Sequence, residues 1–114
     1  MTKNLKGIYA ATVVPLKKNK SINEIALKNH IKNIIKTNGI KGLLLNGHAG
    51  ENFTLNVEEQ IKIIEIAKKY KDLDKKLISG LNFEDPLLAS NVAKKMMKAG
   101  ADAILIFPPF SWSQ

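Results

Sequence analysis

A short glycine-containing segment is the part of this sequence whose residue types and spacing most favour chemistry. Gly47 and Gly50 flank His48 and Ala49 directly after an apolar run, residues 40–46. Consecutive backbone N–H groups in such a turn can converge on an anion such as a carboxylate. The same spacing also fits a tight turn that needs only the conformational freedom of glycine. The Walker and dinucleotide-binding patterns are both absent, because the glycines and the Lys-Ser/Thr pair that they require are missing.

His48 is the titratable side chain of this segment. Histidine gains and loses a proton near neutral pH, so His48 could relay a proton or could simply face solvent. The second histidine, His30, lies within a helical pattern between Asn29 and Ile31 and is expected at the surface or packed. The chain has no cysteine, which excludes a thiol nucleophile, a disulfide scaffold and a zinc ribbon. We expect neither a metal site nor a cofactor.

The elements that must position this segment alternate along the chain. Short apolar runs are separated by stretches with helical spacing of apolar residues. The predicted strands cover residues 8–14, 40–46, 77–79 and 103–107. The predicted helix starts are Ser21 with Glu24 as a capping box, Asn56, and Asp85 followed by Pro86.

Strands separated by helices pair in parallel through right-handed crossovers, so the sequence predicts an α/β fold. Two architectures satisfy this pattern, a small doubly wound sheet and the first half of a (β/α)8 barrel. The 114 residues fit one domain without a linker and fall short of the ~200 residues of a complete barrel. In either architecture, chemistry gathers at the carboxyl ends of the strands. The segments that come after the predicted strands are residues 14–15, 47–52, 80–82 and 108–112.

The net charge of +8 would suit a nucleic-acid partner, but the type and distribution of the basic residues argue against one. All 18 basic residues are lysine, and arginine supplies the bidentate fork that reads guanine and grips phosphate. The lysines are spread along the whole chain, as on the solvated faces of several helices. No apolar run approaches the ~18 residues of a membrane span. We therefore expect no nucleic-acid or membrane partner. The lack of cysteine and of an apolar secretion signal in residues 1–6 favours a cytoplasmic location.

Three segments together resemble one known family. They are residues 7–11, residues 46–55 followed by Glu58 and Glu59, and residues 99–103 before Pro108. From about residue 5 to residue 114 the sequence resembles the dihydrodipicolinate synthase and N-acetylneuraminate lyase family, the class I pyruvate-dependent aldolases. The resemblance implies a (β/α)8 barrel lyase that binds pyruvate or another 2-oxo acid as a Schiff base on lysine. It also implies an aldehyde as second substrate and a homo-oligomer.

The resemblance implies a role for the glycine-containing segment. Backbone N–H groups of His48 and Ala49 would hold the oxo-acid carboxylate, with Gly47 and Gly50 permitting the turn. The family usually has two threonines where His48 and Ala49 stand, and a tyrosine where Phe110 stands. Phe110 would line the substrate pocket or pack beneath it, as would Trp112. These departures favour a related pyruvate aldolase or dehydratase-type member over dihydrodipicolinate synthesis itself.

The resemblance also implies that the Schiff-base lysine is absent, because in the family it lies on the sixth strand. We expect residues 1–114 to be a single incomplete domain, the amino-terminal part of a barrel, inactive alone. The alternative is a non-catalytic half-barrel module that binds a carboxylate. An open half-barrel would leave four inward-facing side chains without their facing layer, which favours dimerisation or aggregation. These are Val13, Leu44, Ile78 and Leu105.

Overall fold

The computed structural model describes residues 4–72 and 74–108, in which four strands alternate with three α-helices. The elements are β1 (Ile8–Ala11), α1 (Glu24–Ile35), β2 (Ile40–Leu45), α2 (Val57–Tyr70), β3 (Lys76–Leu81), α3 (Pro86–Ala99) and β4 (Ala103–Ile106). Two single-turn 3-10 helices, His48–Gly50 and Asn52–Thr54, lie between β2 and α2. None of the described helices is long and apolar enough to cross a membrane.

The sheet distinguishes between the two architectures that the sequence leaves open. Its strand order is β1-β2-β3-β4, and every neighbouring pair is parallel. Successive right-handed crossovers in one direction place all the helices on the same face, whereas a doubly wound sheet reverses direction at a switch point. All three helices share one hydrophobic core with the sheet, and α2 contacts both α1 and α3. The chain therefore has the fold of the first half of a (β/α)8 barrel.

The core lies between the sheet and this single layer of helices. Alternate residues of β2 and β3 point towards the helices, as the period of two in a strand requires. The completely buried apolar side chains of this core include Leu27, Ile31, Leu43, Leu45, Ile63, Ile64, Leu77 and Met96.

The opposite face of the sheet carries no helix among the described residues. Val13, Leu44, Ile78 and Leu105 are outside the core cluster, and Val13 is 52% exposed. These are the side chains that the sequence predicts to face inward in a barrel. The structure confirms this placement for Leu44, Ile78 and Leu105, which alternate with residues of the core, whereas Val13 lies beyond the end of β1.

The start of α1 differs from the sequence prediction. Asn23, not Ser21, caps this helix, and its side chain accepts a hydrogen bond from the Ala26 N–H at 3.1 Å. Ser21 is held instead by the Asn19 side chain, to which its hydroxyl donates at 2.6 Å. A bridge between Leu16 and Ile22 keeps Ser21 in the turn before the helix. The predicted Ser21–Glu24 capping box is therefore wrong.

The starts of α2 and α3 are confirmed. The Asn56 side chain accepts from the Glu59 N–H at 2.8 Å, and the Glu59 carboxylate accepts from the Asn56 N–H at 3.0 Å. Asp85 caps α3 by accepting from the Leu87 N–H at 2.9 Å, with Pro86 in the first helical position. Local side-chain signals were sufficient to predict these two starts.

The four strands all end at residues other than the predicted ones, with the largest differences at β1 and β3. β1 ends at Ala11, which pairs with Leu44, and β2 ends at Leu45, directly before Asn46 with its left-handed φ of 55°. β3 continues through Gly80 instead of ending there. A Cβ on Gly80 would overlap the Asn46 backbone oxygen, so glycine allows a close approach inside the sheet.

Candidate functional site

The carboxyl ends of the four parallel strands meet at one edge of the sheet, called here the carboxyl edge. The glycine loop, residues 47–52, comes after β2 at this edge, and Phe107 comes after β4. Gly80 lies near the end of β3 between them. The residues brought together here belong to three segments that are distant in sequence.

The glycine loop uses three of its own backbone N–H groups internally. Gly50 and Asn52 donate to the Gly47 oxygen at 3.1 and 3.3 Å, and Glu51 donates to the His48 oxygen at 3.0 Å. Within the described part of the chain, the N–H groups of His48 and Ala49 donate to no acceptor. The side chains of both residues are exposed. Two consecutive donors are therefore available to an anion at this edge.

Neither glycine of the loop takes a backbone conformation that only glycine favours. Gly47 has an ordinary φ of −95°, and Gly50 is not among the residues with positive φ. The left-handed positions next to and within the loop belong to Asn46 and Glu51, with φ of 55° and 53°. The explanation by conformational freedom is therefore wrong for both glycines.

Close approach explains Gly50 but not Gly47. A Cβ on Gly50 would lie 3.1 Å from the Thr12 backbone oxygen, closer than a relaxed contact. A Cβ on Gly47 would lie 3.5 Å from the nearest atom of Leu44, an ordinary contact. Gly50 therefore lets the loop rest against the chain segment after β1.

A buried amide network supports the loop from below. The Asn46 side chain is 1% exposed and donates to the Gln60 backbone oxygen at 3.2 Å and to the Ser79 hydroxyl at 3.0 Å. The Gln60 side chain donates in turn to the backbone oxygens of Asn52 and Leu55, at 3.1 and 3.2 Å. These bonds join α2 and β3 to both ends of the loop.

Gln60 was not recognised in the sequence, although a signal was present. It lies four positions before Ile64 on α2, so it falls on the helix face that packs into the core. A polar side chain on such a face needs a buried partner. The sequence pattern does not identify that partner, which is the backbone of Asn52 and Leu55.

A stacked pair of rings forms the other half of the site. The ring centroids of His48 and Phe107 are 4.3 Å apart, and their planes differ by 16°. The Phe107 N–H donates to the Leu81 oxygen at 3.1 Å, which ties the residue to β3. From the sequence, Phe107 is predicted only as the last residue of a strand, and the structure adds its contact with His48.

Other residues proposed from the sequence are separate from this arrangement. Phe110 and Trp112 lie outside the described residues. His30 is on α1, away from the strand ends. No group of three or more histidine, aspartate or glutamate side chains within residues 4–72 and 74–108 is arranged to hold a metal.

Lys71 is the described lysine whose pKa departs clearly from its ordinary value. Burial lowers this pKa, and the nearby Asp102 carboxylate partly opposes the effect. Lys71 lies between α2 and β3, at the amino ends of the strands, where its ammonium donates to the Lys75 oxygen at 2.9 Å. It is therefore at the wrong edge of the sheet to react with a molecule held by the glycine loop.

Comparison with known proteins gives a family match over almost the whole chain. The model of the dihydrodipicolinate synthetase family matches residues 4–114. CdNal from Clostridium difficile, determined in complex with mannosamine, is 35% identical with a TM-score of 0.88, over 98% of this chain and 39% of that one. Dihydrodipicolinate synthase from Aquifex aeolicus is 29% identical with a TM-score of 0.83, over 93% and 36% of the two chains.

A third solved structure shows the likeness of fold alone. N-acetylneuraminate lyase from Mycoplasma synoviae is 20% identical with a TM-score of 0.81, over 92% of this chain and 36% of that one. The present chain thus spans under two-fifths of the length of each of these three proteins.

Proposed function

We propose that this chain, which belongs to the dihydrodipicolinate synthetase family, forms the amino-terminal part of a Schiff-base lyase. The substrates would be a 2-oxo acid of the pyruvate type and an aldehyde, joined or separated at a carbon–carbon bond. The lysine that forms the Schiff base would come from strands beyond this chain. The family match and the position of the glycine loop at the carboxyl edge support the proposal.

One observation carries the substrate assignment. The N–H groups of His48 and Ala49 are consecutive, belong to exposed residues and have no acceptor in the described residues, while their neighbours are bonded within the loop. A carboxylate oxygen is the acceptor that such a pair of donors suits. We assign Gly47, His48, Ala49 and Gly50 to the loop that binds this carboxylate.

Next to the two free N–H groups, His48 has a side chain that can exchange a proton. Its ring lies beside the proposed carboxylate donors, so a bound 2-oxo acid would have its carbonyl group near the imidazole. Schiff-base formation expels water from the carbonyl carbon, and this step needs a proton donor. We propose that His48 relays the proton to the departing oxygen, at a position where the family usually has a threonine.

Borohydride reduction in the presence of pyruvate tests the chemistry. Hydride adds to the C=N bond and converts a Schiff base into a stable secondary amine, which mass spectrometry detects. The 114-residue chain should gain no mass, because none of its described lysines lies at the carboxyl edge in a desolvated interior. A chain extended through the remaining strands should gain one pyruvate-derived adduct. A stoichiometric adduct on the short chain would show that the catalytic lysine has been misplaced.

The second candidate is a non-catalytic module that binds a carboxylate. The glycine loop favours it, because its donors and supporting network lie wholly within the described residues. The two candidates differ in the coding sequence expected after Gln114. If that coding sequence continues with strands and helices and has a lysine near the end of its second strand, the enzyme is favoured over the non-catalytic module.

We also propose that the chain self-associates, as a homo-oligomer in the cytoplasm. Ile8 on β1 and Ile106 on β4 are 67% and 74% exposed, and both strands pair on one side only among the described elements. Apolar edge strands of this kind pair readily with other chains. Sedimentation of the purified 114-residue chain should show dimers or larger species at micromolar concentration. A cooperatively melting monomer would contradict this proposal.

A further inference from the structure

The ring of Phe107 occupies a space that Gly80 leaves open. A Cβ on Gly80 would lie 2.8 Å from the Phe107 Cε2 atom, well inside the contact distance of two carbons. A Cβ on Gly47 would lie 4.0 Å from the Phe107 Cζ atom. The ring therefore lies across the ends of β2 and β3, although it belongs to the residue directly after β4.

His48 covers the exposed side of this arrangement. Its imidazole stacks on Phe107 with nearly parallel planes, 16° apart. Both nitrogens of an imidazole lie in the plane of the ring, so a stacking contact covers a face and leaves the nitrogens free to form hydrogen bonds. An exposed side chain would otherwise change rotamer freely, and the flat contact restricts the ring to one plane.

The backbone of Phe107 is itself fixed. Its N–H donates to the Leu81 oxygen at 3.1 Å, which continues the ladder between β3 and β4 by one bond. The contact is therefore built on the sheet and not on a free loop. Each of three successive strands contributes one part of it: His48 after β2, Gly80 on β3 and Phe107 after β4.

We infer that Phe107 is a positioning residue, which holds the His48 imidazole in the plane needed for proton transfer, and that Gly80 provides the space for its ring. This inference rests on the proposed function and assigns a residue that the glycine loop does not contain. Phe107 acts through His48 and has no proton of its own to transfer.

Kinetics of the enzyme extended through the remaining strands provide the first test. Phe107→Leu keeps an apolar side chain but removes the flat ring. We expect kcat to fall roughly tenfold, a part of the ~10²–10⁴-fold that a positioned acid–base group contributes, with KM for pyruvate changed less than about twofold. Phe107→Tyr should restore kcat because it restores the ring. A matched control is Phe53→Leu, the same substitution at a ring that is 65% exposed in the neighbouring turn.

The outcomes separate positioning from packing. An unchanged kcat in Phe107→Leu would overturn the inference, as would an equal loss in Phe107→Tyr. A loss in kcat that Phe107→Tyr repairs, with KM for pyruvate unchanged, supports it.

Proton NMR of the 114-residue chain provides a second test that does not depend on catalysis. The carbon-bound ring protons of His48 should be shifted upfield by the Phe107 ring current, while those of His30 serve as the internal control. The shift should disappear in Phe107→Leu and persist in Phe53→Leu. An unshifted His48 in the unaltered chain would overturn the inference even if the extended enzyme forms its pyruvate adduct. A missing adduct with His48 still shifted would instead count against the proposed function.

Discussion

The polar groups at the amino ends and at the carboxyl ends of the strands differ in how they are hydrogen-bonded. At the amino edge, where the strands begin, Asp102 and Leu77 form a reciprocal pair: the Leu77 N–H donates to the Asp102 carboxylate at 2.9 Å, and the Asp102 N–H donates to the Leu77 oxygen at 2.7 Å. The ammonium groups of Lys71 and Lys75 donate to backbone oxygens nearby, at 2.9 and 2.6 Å. At this edge, charged side chains form hydrogen bonds with backbone groups of other segments of the chain.

At the carboxyl edge the polar network lies below the surface, and the groups above it remain available. Asn46 and Gln60 use their side-chain N–H groups to hold the loop from beneath. Above them, His48 and Ala49 are exposed, and their backbone N–H groups have no acceptor among the described residues. In barrels of this type, residues at the amino end act mainly in stability and those at the carboxyl end in chemistry. The difference between the edges in this chain agrees with that division.

Removal of the amino-edge carboxylate should give the largest effect on stability. Asp102→Ala leaves the part-buried Leu77 N–H without its acceptor, so we expect the free energy of unfolding to fall by about 1–3 kcal/mol. Urea denaturation measures this change. Asp72→Ala, at an exposed aspartate near the same edge, is the matched control and should change stability by less than about 0.5 kcal/mol. Equal effects of the two variants would remove the special role given to Asp102.

A side chain on the glycine loop should affect binding more than stability. In the extended enzyme, Gly50→Val would press against the Thr12 oxygen and move the loop, so we expect the pyruvate dissociation constant to rise about tenfold, or ~1.4 kcal/mol. Calorimetric titration measures it. The control is Gly39→Ala at the amino edge, where a φ of 90° makes any side chain strained. That variant should lose stability and keep its pyruvate affinity, whereas unchanged binding in Gly50→Val would remove the loop from the site.

The smallest effect concerns Tyr9, whose hydroxyl is buried and has no hydrogen-bond partner within the described residues. Burial raises its pKa above the ordinary value of 10.0, and the Asp102 carboxylate raises it further. The folded state therefore retains the phenol proton of Tyr9 at a pH near 10, where the unfolded chain loses it. The contribution of the protonated phenol to the free energy of unfolding is complete below pH 10 and is lost as the pH rises through the folded-state pKa. Tyr9→Phe should show a weaker decline in stability above about pH 10 than the unaltered chain. Parallel declines would exclude Tyr9 as the source.

The sequence predicted the parts of the fold that depend on local signals. The caps of α2 and α3 need only residues within one helical turn, and the alternation of strands and helices needs only their spacing. The cap of α1 was assigned to the wrong residue because Ser21 and Asn23 are both good caps. The bridge between Leu16 and Ile22, a contact made outside the helix, determines which of the two lies at the helix start.

The sequence predicted the site less completely for the same reason. The glycine loop was found because its residues are adjacent, although the explanation for its glycines needed the position of Thr12. The contact between His48 and Phe107 depends on strand order and on the space at Gly80. Both are properties of the folded sheet and cannot be inferred from neighbouring residues in the sequence. The position of Gln60 on the core-facing side of α2 indicates that its side chain needs a buried partner, but does not identify the backbone oxygens of Asn52 and Leu55.

Titration of the isotope-labelled 114-residue chain with pyruvate, monitored by amide NMR, tests the difference between the edges most directly. We predict that the amide signals of His48 and Ala49 move as pyruvate is added, because their N–H groups receive the carboxylate. The amide signals of Leu77 and Asp102, already paired at the amino edge, should stay in place. Movement confined to Leu77 and Asp102, or no movement at His48 and Ala49 at saturating pyruvate, would contradict the assignment of the carboxyl edge as the binding site.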